Sequence, residues 1–289
     1  MAIVSIIIPH HNRIDMLKAC LESLSAQSLD NCEIIVVDNG SSDGSSEILA
    51  REHPECRHAR LPDNRGFAVA VNAGIQMSNS PYVIILNNDV RCERGFTAAL
   101  VDGLEAHSDC PWAAPLTLQA AAPHRIDNCG LELSPAGIVR KRLAGRPRAS
   151  LPPRPAIVLG ASGNAAIFSR SFFETVGTFD ERFFAYCEDW ELSLRARQRG
   201  ARCLFVPTAV CYHAESSTWG RNSDLTIFHF QRNMELAYFA RWGWRFHACY
   251  LVPHLAYSLF CILRWARRGK GRLVLKAKWD AVISILKKG

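Results

Sequence analysis

Asn87-Asn88-Asp89 follows the apolar run Tyr82–Leu86 and ends in a carboxylate. A hard cation such as Mg²⁺ or Mn²⁺ prefers oxygen ligands of this kind and usually shares its coordination with substrate phosphates. Asp89 is therefore a candidate ligand for a metal bridging a diphosphate, although a polar turn at a strand end explains the same residues. With Asn87 in place of a further carboxylate, metal binding without the nucleotide should be weak. Later in the chain, Phe183-Phe184-Ala185-Tyr186 runs into Cys187-Glu188-Asp189-Trp190-Glu191. Aromatic groups can line a sugar-sized cleft, and a carboxylate beside them can accept a proton from a hydroxyl nucleophile. Asp189 lies about 100° around a helix from Glu188. Acidic residues at a helix start also gain from the helix dipole, and Glu191 can pair with Arg195 one turn on. His213 follows the last strand-like run and could complete a metal site, while a lone histidine is more often structural.

Two more turns carry polar groups. In Pro9-His10-His11-Asn12-Arg13, Pro9 ends a strand, Asn12 can cap the next helix, and the free amides with Arg13 could face an anion. A plain strand-to-helix turn accounts for the same residues. His10 and His11 make no metal pair, because neighbours on an extended chain point to opposite faces. In Asp38-Asn39-Gly40-Ser41-Ser42-Asp43-Gly44, Asp38 stands where a carboxylate can accept hydrogen bonds from a nucleobase or ribose, and Ser42 or Asp43 can cap a helix. Neither turn contains GxGxxG or GxxxxGK[ST], which removes most of the case for a dinucleotide oxidoreductase or a P-loop enzyme.

These turns need elements to position them. Ile3–Ile8, Glu33–Val37 and Tyr82–Leu86 are apolar on both faces, as parallel strands covered on each side are. Between them Ile14, Leu17, Leu21 and Leu24 recur at helical spacing, as do Phe67, Val71 and Ile75. Alternation of this kind predicts a doubly wound α/β sheet, which binds ligands beyond the carboxyl ends of its strands. Residues 116–156, with Pro123, Pro135, Pro147, Pro152, Pro153 and Pro155, read as an exposed connection with a short hairpin around Gly130–Val139. Order resumes at Ile157, with a strand at Ala165–Ser169, a helix at Cys187–Arg199, strand-like runs at Cys203–Val206 and Val210–His213, and a helix over Leu225–Arg241.

The chain has 289 residues, 48% hydrophobic and 21% charged, which suits one large α/β domain with an appendage. Fourteen prolines and eighteen glycines exclude collagen-like and low-complexity classes. Eleven cysteines, odd in number and without a CxxC pair, favour a reducing cytosolic setting over a secreted disulfide scaffold. The run from Ile3 follows Met1 so closely that no secretory leader is expected. The net charge of +7 is uneven: residues 264–289 hold nine basic groups against Asp280, and the rest is nearly neutral. A basic tail on a neutral body predicts a local anionic partner and no nucleic-acid coat. Phe246–Leu263 is apolar but carries His247, Pro253, His254 and Ser258, so it is a flawed spanning helix. With its basic flank and Trp265 and Trp279 nearby, it suits a helix lying at an anionic membrane surface. The alternative is a buried core helix with a solvated tail.

In combination the motifs resemble those of inverting family 2 glycosyltransferases of the GT-A fold. The match rests on Ser5–Arg13, Ile34–Ser41, Asn64-Arg65-Gly66-Phe67 with Asn72, Leu86–Asp89, and Gly177-Thr178-Phe179-Asp180-Glu181 with Glu188-Asp189 and Glu191. It covers roughly residues 3–215 and is nearest to the rhamnosyltransferase-like branch that builds bacterial surface polysaccharides. The resemblance implies a Rossmann-like, mostly parallel sheet flanked by helices, with a helical, membrane-associating C-terminal appendage. It implies that Pro9, Asn12, Asp38, Asn64, Gly66 and Asn88 hold a nucleotide-diphosphate sugar. It implies Asp89 and His213 at a divalent cation, Mg²⁺ or Mn²⁺, and Asp189 as catalytic base. Asn39 and Asn87 stand where many members carry aspartate, which puts metal dependence in question more than activity. The expected acceptor is a glycan or lipid-linked hydroxyl, and the expected place is the cytoplasmic face of the cell membrane. The expected organisation is a transferase domain over 1–223, with a nucleotide-binding half (1–115) and an acceptor half (157–223), followed by the appendage at 224–289. A nucleotidyltransferase would need a glycine-rich loop after the first strand, which Pro9–Arg13 lacks. The rival from another class is a catalytically silent nucleotide-sugar-binding subunit of a membrane glycan-assembly complex.

Overall fold

The apolar runs near the N-terminus become the parallel half of one large sheet. The structure is a computed structural model that describes residues 2–29, 31–215, 220, 222–240 and 244–286. Arg241, Lys287, Lys288 and the segment 216–219 lie outside the described residues. The first half comprises β1 (Val4–His10), α1 (Ile14–Ser25), β2 (Cys32–Asn39), α2 (Ser45–Glu52), β3 (Arg57–Leu61), α3 (Phe67–Met77) and β4 (Tyr82–Leu86). Next come β5 (Val90–Cys92), α4 (Phe96–Ala106), β6 (Trp112–Gln119), β7 (Ala122–Asn128), β8 (Leu131–Leu133), β9 (Val139–Lys141) and β10 (Ala156–Val158). The remainder is β11 (Ala165–Ser169), α5 (Arg170–Thr175), α6 (Glu188–Gln198), β12 (Cys203–His213), α7 (Asp224–Ala240), α8 (Trp244–Ala266) and α9 (Gly271–Leu286).

Among the described residues, ten strands form one sheet with the central order β10-β12-β6-β11-β4-β1-β2-β3. β1 pairs in parallel with β2 and β4, β2 with β3, and β12 with β6. β11 is antiparallel to both β4 and β6, so β6 and β12 run in the same direction as β1 and β4. Side chains alternate between the two faces. Ile6, Ile8 and Ile84 meet α1 and α4 on one side, and Ile7, Ile35 and Ile85 meet α3, α5 and α6 on the other.

The expected exposed connection over 116–156 is corrected in its first part, while residues 144–156 are largely exposed as expected. Its first residues complete β6, a strand buried along nearly its whole length, and Asp127, Asn128, Cys129 and Leu131 are buried as well. The prolines misled because they sit outside the ladders or at irregularities. Pro123 falls in the irregular stretch of β7 between the paired Ala122 and Ile126, and β12 has its own register shift, between Val206 and Val210. The same shift joins the two runs Cys203–Val206 and Val210–His213 into the single strand β12. The short hairpin is present as β8 paired with β9. β3 escaped notice because RHARL is a largely exposed edge strand with only Ala59 and Leu61 apolar.

Two long-range fastenings set the entry to α6. The Asn72 side chain donates to the Phe179 carbonyl (2.9 Å) and to Glu181 (3.0 Å), and accepts from the Phe179 N–H (3.0 Å). Arg195 pairs with buried Glu191 through two hydrogen bonds of 3.1 and 2.7 Å and donates to the carbonyls of Val176 and Thr178, both at 2.8 Å. A bidentate pair with its remaining donors satisfied fixes geometry as well as energy.

Candidate active site

β1, β2, β4 and β12 all end at one edge of the sheet, where a cavity of about 1000 Å³ opens. Pro9, Asn64, Gly66, Asn88, Asp89, Asp189 and His213 line it. Asn12 and Asp38 do not: their polar groups join the two turns behind its wall. The Asn12 side chain accepts from the Ser42 N–H (2.9 Å), and its own N–H donates to Ser41 Oγ (2.8 Å). Asp38 accepts from the Ser41 N–H (2.9 Å) and lies 3.7 Å from Arg60. Asn12 therefore does not cap α1, whose N-cap is Arg13 in the left-handed region. Ser42 does not cap α2, whose N-cap is Gly44; Asp43 instead accepts from the Ser45 N–H at 3.1 Å.

On the Pro9 side of the cavity, Asn39 organises the loop 64–66. Its amide donates to Asn64 Oδ1 and to the Gly66 carbonyl, both at 3.0 Å, and its oxygen accepts from the Arg65 N–H at 2.9 Å. A carboxylate could accept but not donate, so asparagine here is a matter of hydrogen-bond polarity. Gly66 has φ +90°, and a Cβ on it would stand 2.3 Å from the Phe184 carbonyl oxygen, which the Phe67 N–H also contacts at 2.8 Å. Asn88 donates to His10 Nδ1 at 2.9 Å, and burial holds His10 below its ordinary pKa.

Asp89 and His213 are brought together by β5. This short strand turns back after Asp89 and pairs antiparallel with the end of β12, which sets Asp89 Oδ1 3.3 Å from His213 Nε2. His213 Nδ1 lies 3.2 Å from Asp127 Oδ2, and Lys141 Nζ lies 2.7 Å from Asp127 Oδ1 and 3.5 Å from Glu215. Burial opposes a charge on His213, but Asp127 and Asp89 outweigh it and push its pKa up to about 9. Burial likewise opposes ionisation of Asp127, yet His213 and Lys141 hold that carboxyl well below the usual range. Ligand atoms of Asp127, His213 and Glu215 all fall within 4.8 Å of one another. Carboxylate oxygens with one imidazole nitrogen fit Mg²⁺ or Mn²⁺ chemistry. Asp127, Lys141 and Glu215 escaped the sequence reading because the first two lie in the proline-rich stretch and the third follows β12 with no motif around it.

Glu188 and Asp189 open α6 after Tyr186 and Cys187, both at positive φ (69° and 66°). Asp189 Oδ2 accepts from the Gly163 N–H and Oδ1 from the Trp190 N–H, each at 2.9 Å. Burial pushes Asp189 up, with these N–H bonds pulling the other way. Glu188 is raised by burial and by its neighbour Asp189. α7 holds the turn from outside: Asn233 donates to the carbonyls of Ala185 (2.8 Å) and Tyr186 (2.9 Å), and Phe230 meets Trp190 edge-on.

Residues 5–118, which contain β1 to β6 and the Asn87-Asn88-Asp89 turn, match the family model "Glycosyl transferase family 2". The chain carries a family 2 glycosyltransferase domain. Its relatives include the N-acetylglucosaminyl-diphospho-decaprenol L-rhamnosyltransferase of Mycobacterium tuberculosis, 29% identical over 246 residues, 74% of this chain and 77% of that one. Among solved structures, it resembles a mannosyltransferase from Pyrobaculum calidifontis in complex with GDP-Man and Mn²⁺. That likeness has a TM-score of 0.59 at 18% identity and covers 99% of this chain and 76% of the other. GalNAc-T7 with UDP, GalNAc and Mn²⁺ bound gives a TM-score of 0.63 at 17% identity, over 81% of this chain and 48% of the other. The solved structures establish the GT-A fold, and the relative places this glycosyltransferase beside the rhamnosyltransferase-like branch.

Proposed function

We propose that this glycosyltransferase moves a sugar, with inversion, from a nucleotide-diphosphate donor to a hydroxyl of a glycan or lipid-linked acceptor. Its setting in this reading is bacterial surface-polysaccharide synthesis at the cytoplasmic face of the cell membrane. Residues 1–223 form the transferase unit and 224–289 the appendage. The observation that carries the reading is that Asp89, just after β4, and Asp189, at the start of α6, line one sugar-nucleotide-sized cavity.

In this mechanism the nucleoside sits over Pro9 and the Asn64–Gly66 loop, with Asn12 and Asp38 shaping the turns beneath it. The diphosphate lies towards Asn88 and Asp89. A divalent cation held by Asp89, His213 and the adjoining Asp127 and Glu215 would neutralise charge on the departing diphosphate. Asp189 takes the acceptor hydroxyl proton as that oxygen bonds to the anomeric carbon and the bond from that carbon to the diphosphate oxygen breaks. The nucleoside diphosphate leaves from the opposite face, which inverts the configuration. A raised carboxyl pKa favours this role, because a base works best with its pKa near the working pH.

The test is a panel of nucleotide sugars with nucleoside diphosphate release and product anomer as readouts. Release with a single inverted anomer is expected, and Asp189→Asn should lower turnover at least a hundredfold with donor binding nearly unchanged. Donor binding with no release from any sugar would instead favour a silent binding subunit, and near-normal turnover of Asp189→Asn would remove that residue from the role.

A further inference from the structure

α8 and α9 each turn the unexpected face to solvent. On α8 the buried positions are His254, Ser258 and Cys261, whereas Val252, Leu255, Leu259 and Leu263 are exposed, Val252 by 76%. On α9, Val274, Ala277 and Ala281 are buried, and Leu275, Trp279, Val282 and Leu286 are exposed, Trp279 by 66% and Leu286 by 73%. Both exposed sets recur at intervals of three and four residues, so each forms one continuous helical face. An exposed apolar surface of this extent marks an interaction site. The junction of the two helices exposes Arg264, Arg267, Arg268, Arg272 and Lys276, with no acidic side chain between them in sequence.

The segment Phe246–Ala266 has a mean hydropathy of 1.5 and is long enough to cross a membrane. Its inner face argues against crossing. His254 Nε2 and Ser258 Oγ each lie 2.7 Å from buried Glu235 of α7, and Lys278 of α9 reaches the same carboxylate. Tyr238 stacks on the His254 ring with centroids 3.5 Å apart. A spanning α8 would carry His254 and Ser258 into hydrocarbon and leave Glu235 buried with two partners fewer. Lying flat keeps every one of these contacts and still covers the apolar face.

We infer that the outer faces of α8 and α9, with the basic junction between them, form an in-plane docking surface for an anionic lipid bilayer. Apolar side chains enter the acyl boundary while arginines and a lysine meet acidic headgroups, the chemistry of an interfacial helix. Tyr257 of α8 lines the cavity that holds Asp189, so docking brings that wall of the cavity to the membrane. Docking requires no sugar transfer, and the two readings fail separately.

The experiment is flotation of the full chain with phosphatidylcholine vesicles, with and without phosphatidylglycerol. Binding is expected to the anionic vesicles and to weaken with salt. Leu259→Glu with Trp279→Glu should reduce it at least a hundredfold, and Arg267→Ser with Arg268→Ser about thirtyfold, from the typical contribution of each basic group. Both variants should melt and bind donor as the parent does, since neither pair touches the cavity. A nitroxide-bearing residue placed in turn at 252, 255, 259 and 263 should report one uniform, shallow depth. A progression of depths through the bilayer centre would make α8 a span and overturn the inference. So would absence of flotation, flotation indifferent to both double variants, or a dimer that Leu259→Glu with Trp279→Glu abolishes while vesicles go unbound.

Discussion

Two buried charge clusters use the same kinds of residue to opposite ends. At the cavity, Asp89, Asp127 and Glu215 surround His213 and Lys141, so carboxylates outnumber cationic groups and the cluster faces open space. In the appendage a single carboxylate, Glu235, is met by His254, Ser258 and Lys278 and is sealed among three helices. Excess negative charge beside a cavity leaves room for another cation, whereas a saturated carboxylate leaves room for nothing. In the proposed reading the first arrangement serves a cation, whereas the second joins α7, α8 and α9.

The contrast predicts which measurement each cluster moves. Glu235→Ala should lower unfolding free energy by about 3–5 kcal/mol, the usual cost of stripping one partner from a buried ion pair, with donor affinity of the folded fraction unchanged. Calorimetry checks this. Burial works against the Glu235 charge, but His254 and Lys278 outweigh it and bring its pKa from 4.5 to about 2. Because the folded value is depressed, this stabilisation is complete above about pH 4.5 and is lost as the pH falls through about 2. The Glu235→Ala variant should lack that part of the acid transition. If Glu235→Ala spared stability and cost donor binding, the contrast would be broken.

At the cavity, Asp127→Asn should weaken Mn²⁺-dependent donor binding tenfold to a hundredfold, and it should also cost stability, because His213 and Lys141 lose the charge they pair with. Titrations of donor with and without Mn²⁺ decide this, and identical affinities would detach Asp127 from the cation. A smaller effect belongs to a neutral site between the two extremes. Asn39→Asp replaces two donated hydrogen bonds by acceptor atoms facing acceptors, and should cost about 1–3 kcal/mol, read as a lowered midpoint in urea.

What the sequence disclosed follows the range of each interaction. β1, β2 and β4 were legible because a strand covered on both faces is apolar throughout, and α1 and α3 because their buried stripes repeat at helical spacing. The Glu188-Asp189 helix start was legible from contiguous residues, and the Glu191–Arg195 pair from their separation of one turn. Asp127 and Glu215 were not, since only the pairing of β7 with β6 and of β12 with β5 carries them to His213, and pairing leaves no local periodicity. Asp38 and Asn12 show the converse. Their motifs were plain, but the hydrogen bonds that turn them away from the cavity depend on where two separate turns meet.

At Gly66 the Asn64–Gly66 loop rests on the Phe184 carbonyl more closely than any side chain would permit, and the Phe67 N–H grips the same oxygen. That oxygen belongs to the turn that aims Asp189. In the proposed mechanism, a donor seated on the loop would therefore lie one peptide group away from the turn that carries the base.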